Sequence, residues 1–173
     1  LYAIAFAVYG LSEYHAATGN PEALEFAKGL FYDIEKGYDA DKGGYLEALT
    51  REWGQLEDYR LSEKDENAPK TMNTHLHIME AYANLYRYWK DDKLKHRLRS
   101  IIQVSLEKIL QDDFRFGLFF DVDWNPTNRN VSYGHDIEGS WLLLEAAEVL
   151  GEENLIEKIK AVALKMSEAV YRD

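Results

Sequence analysis

The sequence contains no cysteine and only three prolines, and it has no apolar run long enough to cross a bilayer. Without thiols there is no disulfide, no thiolate nucleophile and no thiolate-bound zinc. The composition fits a reducing compartment, with the cytoplasm as the expected location. Basic residues are in deficit, with 20 Lys and Arg against 31 Asp and Glu and a formal net charge of -11. Such a field repels phosphate backbones and anionic lipid surfaces, so neither nucleic acid nor a membrane is an expected partner. Also missing are a His-Glu-x-x-His pattern, an acidic calcium loop and a glycine-rich phosphate loop, so no metal and no cofactor is expected. The apolar opening, Leu1 to Leu11, has no basic segment before it and no cleavage pattern after it, and is not read as a targeting segment.

What is present is a core-forming chain, with 46% apolar and 13% aromatic residues among 173. Three segments repeat one design, an apolar-periodic helix, a short polar turn and a second amphipathic helix. The first runs from about Ala3 to Ala17, turns at Thr18-Gly19-Asn20-Pro21 and continues to about Glu35, the glycine stopping one helix and the proline suited to starting the next. The second runs from Met72 to Trp89, turns at Lys90-Asp91-Asp92 and continues to Leu110. The third runs from His135 to Leu150, turns at Gly151-Glu152-Glu153 and continues to the end. Leu24, Leu94 and Leu155 occupy matching places after the turns, 70 and 61 residues apart.

Between the hairpins lie two long connections, residues 36–71 and 111–134, too long to be passive linkers. Gly43 to Leu46 and Phe116 to Asp123 mix glycine with aromatic and β-branched residues, which predicts small β-hairpins forming a rim over one end of the helices. The expected fold is all-α, with the helical hairpins forming part of an α/α toroid. Three hairpins are too few to close such a ring, and the pattern is already helical at both ends. Residues 1–173 are therefore read as a single partial domain cut from a longer chain.

Asn73, His77, Glu80 and Asn84 share one face of the third helix, opposite Leu76, Met79, Ala83 and Tyr86, which read as core. The polar face is either an ordinary solvated one or a site wall. His75 and His77 lie about 200° apart on a helical wheel and do not bind one metal together. The run from Ser132 to Glu138 ends a rim loop and opens a helix. There His135 and Glu138 are three apart, so the carboxylate is placed to orient the imidazole as a general base. The alternative is that His135 caps the helix while Asp136 and Glu138 complement its dipole. Asp121, Asp123 and Glu138 raise a second chemistry, two carboxylates flanking a glycosidic bond. Trp53, Trp124, Tyr45, Phe119 and Tyr133 are candidate platforms for sugar faces, and His15 and His96 have no partner in the pattern.

Two runs, Asn67-Ala68-Pro69-Lys70-Thr71-Met72-Asn73-Thr74-His75-Leu76-His77 followed by Glu80-Ala81-Tyr82, and Ser132-Tyr133-Gly134-His135-Asp136-Ile137-Glu138, resemble the N-acylglucosamine 2-epimerase family. Leu61-Ser62-Glu63-Lys64-Asp65 resembles its cellobiose 2-epimerase branch, and the likeness covers essentially the whole chain. The resemblance implies an (α/α)6 barrel of which these hairpins are the middle portion. It also implies a sugar 2-epimerase that opens the reducing-end ring, removes the C2 proton and returns it to the other face of an enediolate, without metal or redox cofactor. By position, it implies that His135 is one of two acid/base histidines, Glu138 its companion, and Asn73, His77 and Tyr2 contacts to the sugar. The second histidine and an essential arginine of the family lie beyond these residues, so this stretch alone is expected to be catalytically inert.

The leading expectation is therefore inversion at C2 of the reducing-end glucose of cellobiose, with N-acylglucosamine or mannose as alternatives within the family. From other classes, a glycoside hydrolase on the same toroid needs an Asp/Glu pair in its pocket in place of His135. A non-catalytic helical repeat needs an exposed apolar groove.

Overall fold

The computed structural model describes residues 1–60, 63 and 66–172. Among them, six helices form the body: α1 Tyr2–Thr18, α2 Pro21–Ile34, α3 Met72–Tyr88, α4 Asp92–Val104, α5 Tyr133–Leu150 and α6 Glu153–Tyr171. Their ends follow from local chemistry. α1 stops at Gly19, whose left-handed φ of 69° lets its N–H reach the His15 carbonyl, and α5 stops the same way at Gly151 with φ 75°. The Asn20 side chain accepts from the Glu22 and Ala23 amides ahead of Pro21, Thr71 caps α3 through the Thr74 amide, and Asp91 caps α4 through the Leu94 amide. The fourth helix departs from expectation. After Val104 it widens into a π turn, Ser105–Ile109, where the Ser105 hydroxyl competes for the Ile101 carbonyl.

α1, α3 and α5 pack side by side, while α2 and α6 back the outer two and α4 lies against α3 and α5. α3 is central, and 13 of its 17 residues are buried, among them His77 and Asn84. The solvated-face reading of this helix therefore fails, because α1 and α5 flank the sides that a lone amphipathic helix would show to water. Leu76, Met79, Ala83 and Tyr86 are buried as expected.

The rim is built by pairing across the two long connections. β1 (Lys70–Thr71) runs antiparallel to β2 (Phe119–Phe120), with Lys70 opposite Phe120 and Thr71 opposite Phe119. Among the described residues, the pairing within the connections is by single bridges, Tyr38 to Tyr45, Leu110 to Phe116 and Phe120 to Pro126, in place of the expected small β-hairpins. Lys70 is wholly buried and binds the rim together: its Nζ donates to Asp39 Oδ2 at 2.8 Å, the Val122 carbonyl at 3.0 Å and the Gly43 carbonyl at 3.1 Å. The ammonium also lies 4.7 Å from the centre of the Trp124 ring. Burial pushes the Asp39 carboxyl up, but the Lys70 ammonium and the Lys42 and Asp41 amides outweigh it and hold the group below its ordinary value.

His75 joins the rim to the core. Its Nδ1–H donates to the Thr71 carbonyl at 2.6 Å and its Nε2 accepts the Tyr45 amide at 2.8 Å, which defines a neutral ring. Gly44 crosses this point with φ 77°, and a Cβ there would stand 2.4 Å from the Trp124 ring and 2.6 Å from His75 Nε2. On the outer side, Glu35 accepts from the Tyr45 and Tyr82 hydroxyls at 2.7 and 2.9 Å and from Arg97 Nε at 2.7 Å, tying α2, the rim, α3 and α4 together.

Candidate active site

The N-terminal ends of α3 and α5 open onto one cavity of about 300 Å³ under the rim. Thr71, Met72 and Asn73 reach it from α3, Ser132 and His135 from α5, Leu118 and Phe119 from around β2, and Glu47, Tyr59, Arg60 and Glu66 from the first long connection. Both helices direct the positive ends of their backbone dipoles toward this region, which favours negative charge there. The Thr71 hydroxyl serves twice: it accepts from the Thr74 amide to start α3 and donates to Glu47 Oε2 at 2.5 Å. Glu66 joins the two connections through the Thr127 hydroxyl and the Asn128 amide.

His135 is half-buried, and its Nδ1 lies 2.7 Å from Ser132 Oγ. Its Nε2 has no hydrogen-bond partner among the described residues. The expected pairing of Glu138 with this imidazole is not made among the described residues. Glu138 lies one turn along α5, half-buried, and no hydrogen bond joins it to His135 among the described residues; the ring is held by the Ser132 hydroxyl instead. Nor does Asp136 simply complement the helix dipole. It is wholly buried, its Oδ1 accepts the Phe116 amide at 2.8 Å, and burial raises its carboxyl above the ordinary value against the opposing pull of that amide and of Arg115.

Asn73 and His135 thus share a cavity. His77 sits one turn further along the same face of α3, its Nδ1 3.0 Å from Glu80 Oε2 and its ring packed against Tyr2 and Phe6 at centroid distances of 5.2 and 4.6 Å. Tyr2 and His77 are therefore brought together as neighbours. Asn84, a further two turns on, reaches the Tyr9 carbonyl at 3.5 Å and borders a second hollow of about 240 Å³ with Glu13, Glu80 and Glu145.

Several candidates read from the sequence lie elsewhere. Asp121 is a turn-former, accepting from the amides of Asp123 and Asn125 and from the Asn125 side chain, and these bonds hold its carboxyl low. Asp123 is exposed and paired with Lys42 at 2.6 Å. Neither borders the cavity, so Asp121 and Asp123 do not supply a carboxylate pair there; the carboxylates that line it are Glu47, bonded to the Thr71 hydroxyl, and Glu66, bonded to Thr127 and Asn128. Of the loop aromatics, Phe119 lines the cavity. Tyr45 and Trp124 are buried in the rim, Trp53 lies under the Lys36 ammonium at 4.0 Å, and Tyr133 is exposed beside Arg115. Sequence reasoning missed Glu47, Tyr59, Arg60 and Glu66, which arrive through a connection without periodicity. It also missed the role of Ser132, for which the Ser-x-x-His spacing at a helix start was the available signal. The Leu61 to Asp65 run lies outside the described residues except for Glu63. Among the described residues no group of three or more His, Asp or Glu can hold a metal ion, and no helix is long and apolar enough to cross a membrane.

A row of helices backed by outer helices is the arrangement of part of an α/α barrel, and the candidate site, where an imidazole and an amide meet, lies at its loop end. The profile of the N-acylglucosamine 2-epimerase (GlcNAc 2-epimerase) family matches residues 1–172, and the chain belongs to that family. It is 58% identical to the cellobiose 2-epimerase of Bacteroides fragilis over 171 residues, covering 98% of this chain and 44% of that protein. The structure of the cellobiose 2-epimerase from Bacillus thermoamylovorans superposes with a TM-score of 0.92 at 38% identity, over 99% of this chain and 44% of that one. A D-mannose isomerase structure matches at a TM-score of 0.77 and 18% identity, covering 99% of this chain and 42% of that one, a likeness of fold alone. The chain spans about half the length of the curated relatives it matches. The expected fold class holds, all-α helical hairpins forming part of an (α/α)6 barrel, while the small β-hairpins expected in the long loops are replaced by one two-residue strand pair across them and isolated bridges.

Proposed function

We propose that the protein containing these residues is a cellobiose 2-epimerase, acting in the cytoplasm on a small carbohydrate and inverting C2 of the reducing-end glucose. The observation that carries this reading is His135 in a cavity shared with Asn73, its Nε2 without a hydrogen-bond partner among the described residues where two helix N-termini converge. In the proposed reaction the sugar ring opens with the help of Asn73 and His77, whose imidazole is already hydrogen-bonded to Glu80, and Tyr2 packs beside them. His135 Nε2 takes the C2 proton, and the bonding pair passes into an enediolate whose negative charge the α3 and α5 termini favour. Glu138 accompanies His135 on the same helix face. Return of a proton to the opposite face requires a second acid, a role that the family resemblance gives to a histidine outside these residues, so alone they are expected not to epimerise cellobiose.

The test is the whole protein with cellobiose in D2O, reading formation of the mannose-ended disaccharide and deuterium at C2. His135→Asn is expected to abolish both. Hydrolysis to glucose that persists in His135→Asn overturns the reading in favour of a glycosidase. Turnover confined to free N-acylglucosamine or mannose moves the substrate within the family.

A further inference from the structure

We propose that Ser132 is a positioning residue that sets which nitrogen of His135 carries the proton, an inference that rests on the epimerase reading above. Ser132 is the N-cap of α5, with extended φ and ψ of -129° and 95°. A serine there ordinarily accepts from a backbone amide of the first turn, an interaction worth about 1 kcal/mol. This one makes no such cap bond, and its hydroxyl lies 2.7 Å from His135 Nδ1 instead. The helix start forgoes its usual cap, and the imidazole gains a partner.

The two acids of the same run are not alternatives. Asp136 is turned into the core, where it accepts the Phe116 amide at 2.8 Å, and Gly139 lets the Phe116 ring lie so close to α5 that a Cβ would stand 2.0 Å from it. That packing anchors the first turn of α5 while Ser132 holds the ring. Glu138 has no hydrogen bond to the ring among the described residues. A histidine that takes a proton from carbon at Nε2 must have a lone pair there, and so must carry its own proton on Nδ1. That tautomer is selected by whatever accepts from Nδ1–H. A hydroxyl 2.7 Å from Nδ1 can donate or accept, and Ser132 Oγ takes the acceptor role in the tautomer that leaves the Nε2 lone pair free for the proton. When the C2 proton arrives at Nε2 the C–H pair stays with the enediolate, the ring becomes imidazolium, and Nδ1–H keeps its bond to Ser132 without moving. The hydroxyl therefore serves both protonation states in one ring orientation.

The experiment compares the whole protein with Ser132→Ala, Ser132→Thr and Ser132→Gly, the last keeping a residue tolerated at an N-cap so that loss of folding is separated from loss of the hydroxyl. Steady-state rates with cellobiose are measured beside the imidazole 15N shifts of His135. Loss of the hydroxyl is expected to lower kcat roughly 10- to 100-fold with little change in KM, as removal of a supporting hydrogen bond does elsewhere. The 15N shifts are expected to move from the Nδ1–H toward the Nε2–H form, and threonine to restore both. A wild-type ring in the Nε2–H form, or unchanged kcat and 15N shifts in Ala and Gly variants that have only lost thermal stability, overturns the proposal and leaves the epimerase reading standing. A wild-type protein that epimerises no sugar ends that reading, while the 15N arm still decides whether Ser132 sets the tautomer.

Discussion

Acid should loosen the rim through His75. The ring is fully buried, donates from Nδ1 to the Thr71 carbonyl and accepts the Tyr45 amide on Nε2, with the Trp124 ring edge-on at 5.0 Å. Burial first, and then the Lys70 ammonium, lower its pKa from 6.5 to about 4, against the pull of the Thr71 carbonyl. Protonation would also turn Nε2 into a donor facing another donor. Above pH 6.5 the ring is neutral whether the chain is folded or not, and this group imposes no penalty. As the pH falls from 6.5 toward 4 the unfolded chain binds a proton that the folded one refuses, and stability declines. Below the folded value both forms are charged and the loss levels off. A depression of this size corresponds to about 3 kcal/mol lost across the window, at about 1.4 kcal/mol per pH unit. Asp136 works in the opposite sense, since its raised carboxyl pKa means that acidification relieves part of a native-state penalty. The assay is urea unfolding of the whole protein at several pH values across that window, for the wild type and for His75→Gln, whose side-chain oxygen can still accept the Tyr45 amide. The wild type should lose stability as the pH falls, and the difference between the two proteins should narrow. A wild-type curve that stays flat, or parallel slopes in the two, would refute the argument.

Two further outcomes follow from close packing and buried charge. Gly139→Ala drives a methyl group into the Phe116 ring 2.0 Å away, so it should lower stability by about 1–3 kcal/mol in the same urea assay, with loss of activity if the start of α5 shifts. Lys70→Met leaves Asp39 and two carbonyls without their ammonium and should destabilise by about 3–5 kcal/mol, while Lys70→Met combined with Asp39→Asn should recover part of that loss.

The candidate site was legible where its residues stand on helices. Asn73 and His77 at a spacing of four, and His135 at the end of a loop, could be placed without coordinates because helical periodicity fixes which side chains share a face. Glu138 and Ser132 illustrate the limit. Each is three residues from His135, and spacing alone leaves both within reach of the imidazole. The hydroxyl holds it because the cap residue faces the ring in this backbone conformation. Asp121 left the list of candidates through the same kind of detail, since it spends its oxygens on the turn that it closes.

By itself the sequence determined the helical hairpins, because their signals are local: Gly19, Asn20 with Pro21, Thr71, Asp91 and Gly151 each act within one turn of the chain. Only the tertiary structure decided that β1 pairs with β2 across the two long connections, that the polar face of α3 is flanked by α1 and α5 instead of water, and that Lys70 and His75 are buried struts of the rim. Those outcomes depend on which distant groups meet, and a buried ammonium or imidazole is stable only where carbonyls, carboxylates and amides from remote segments arrive together to satisfy it.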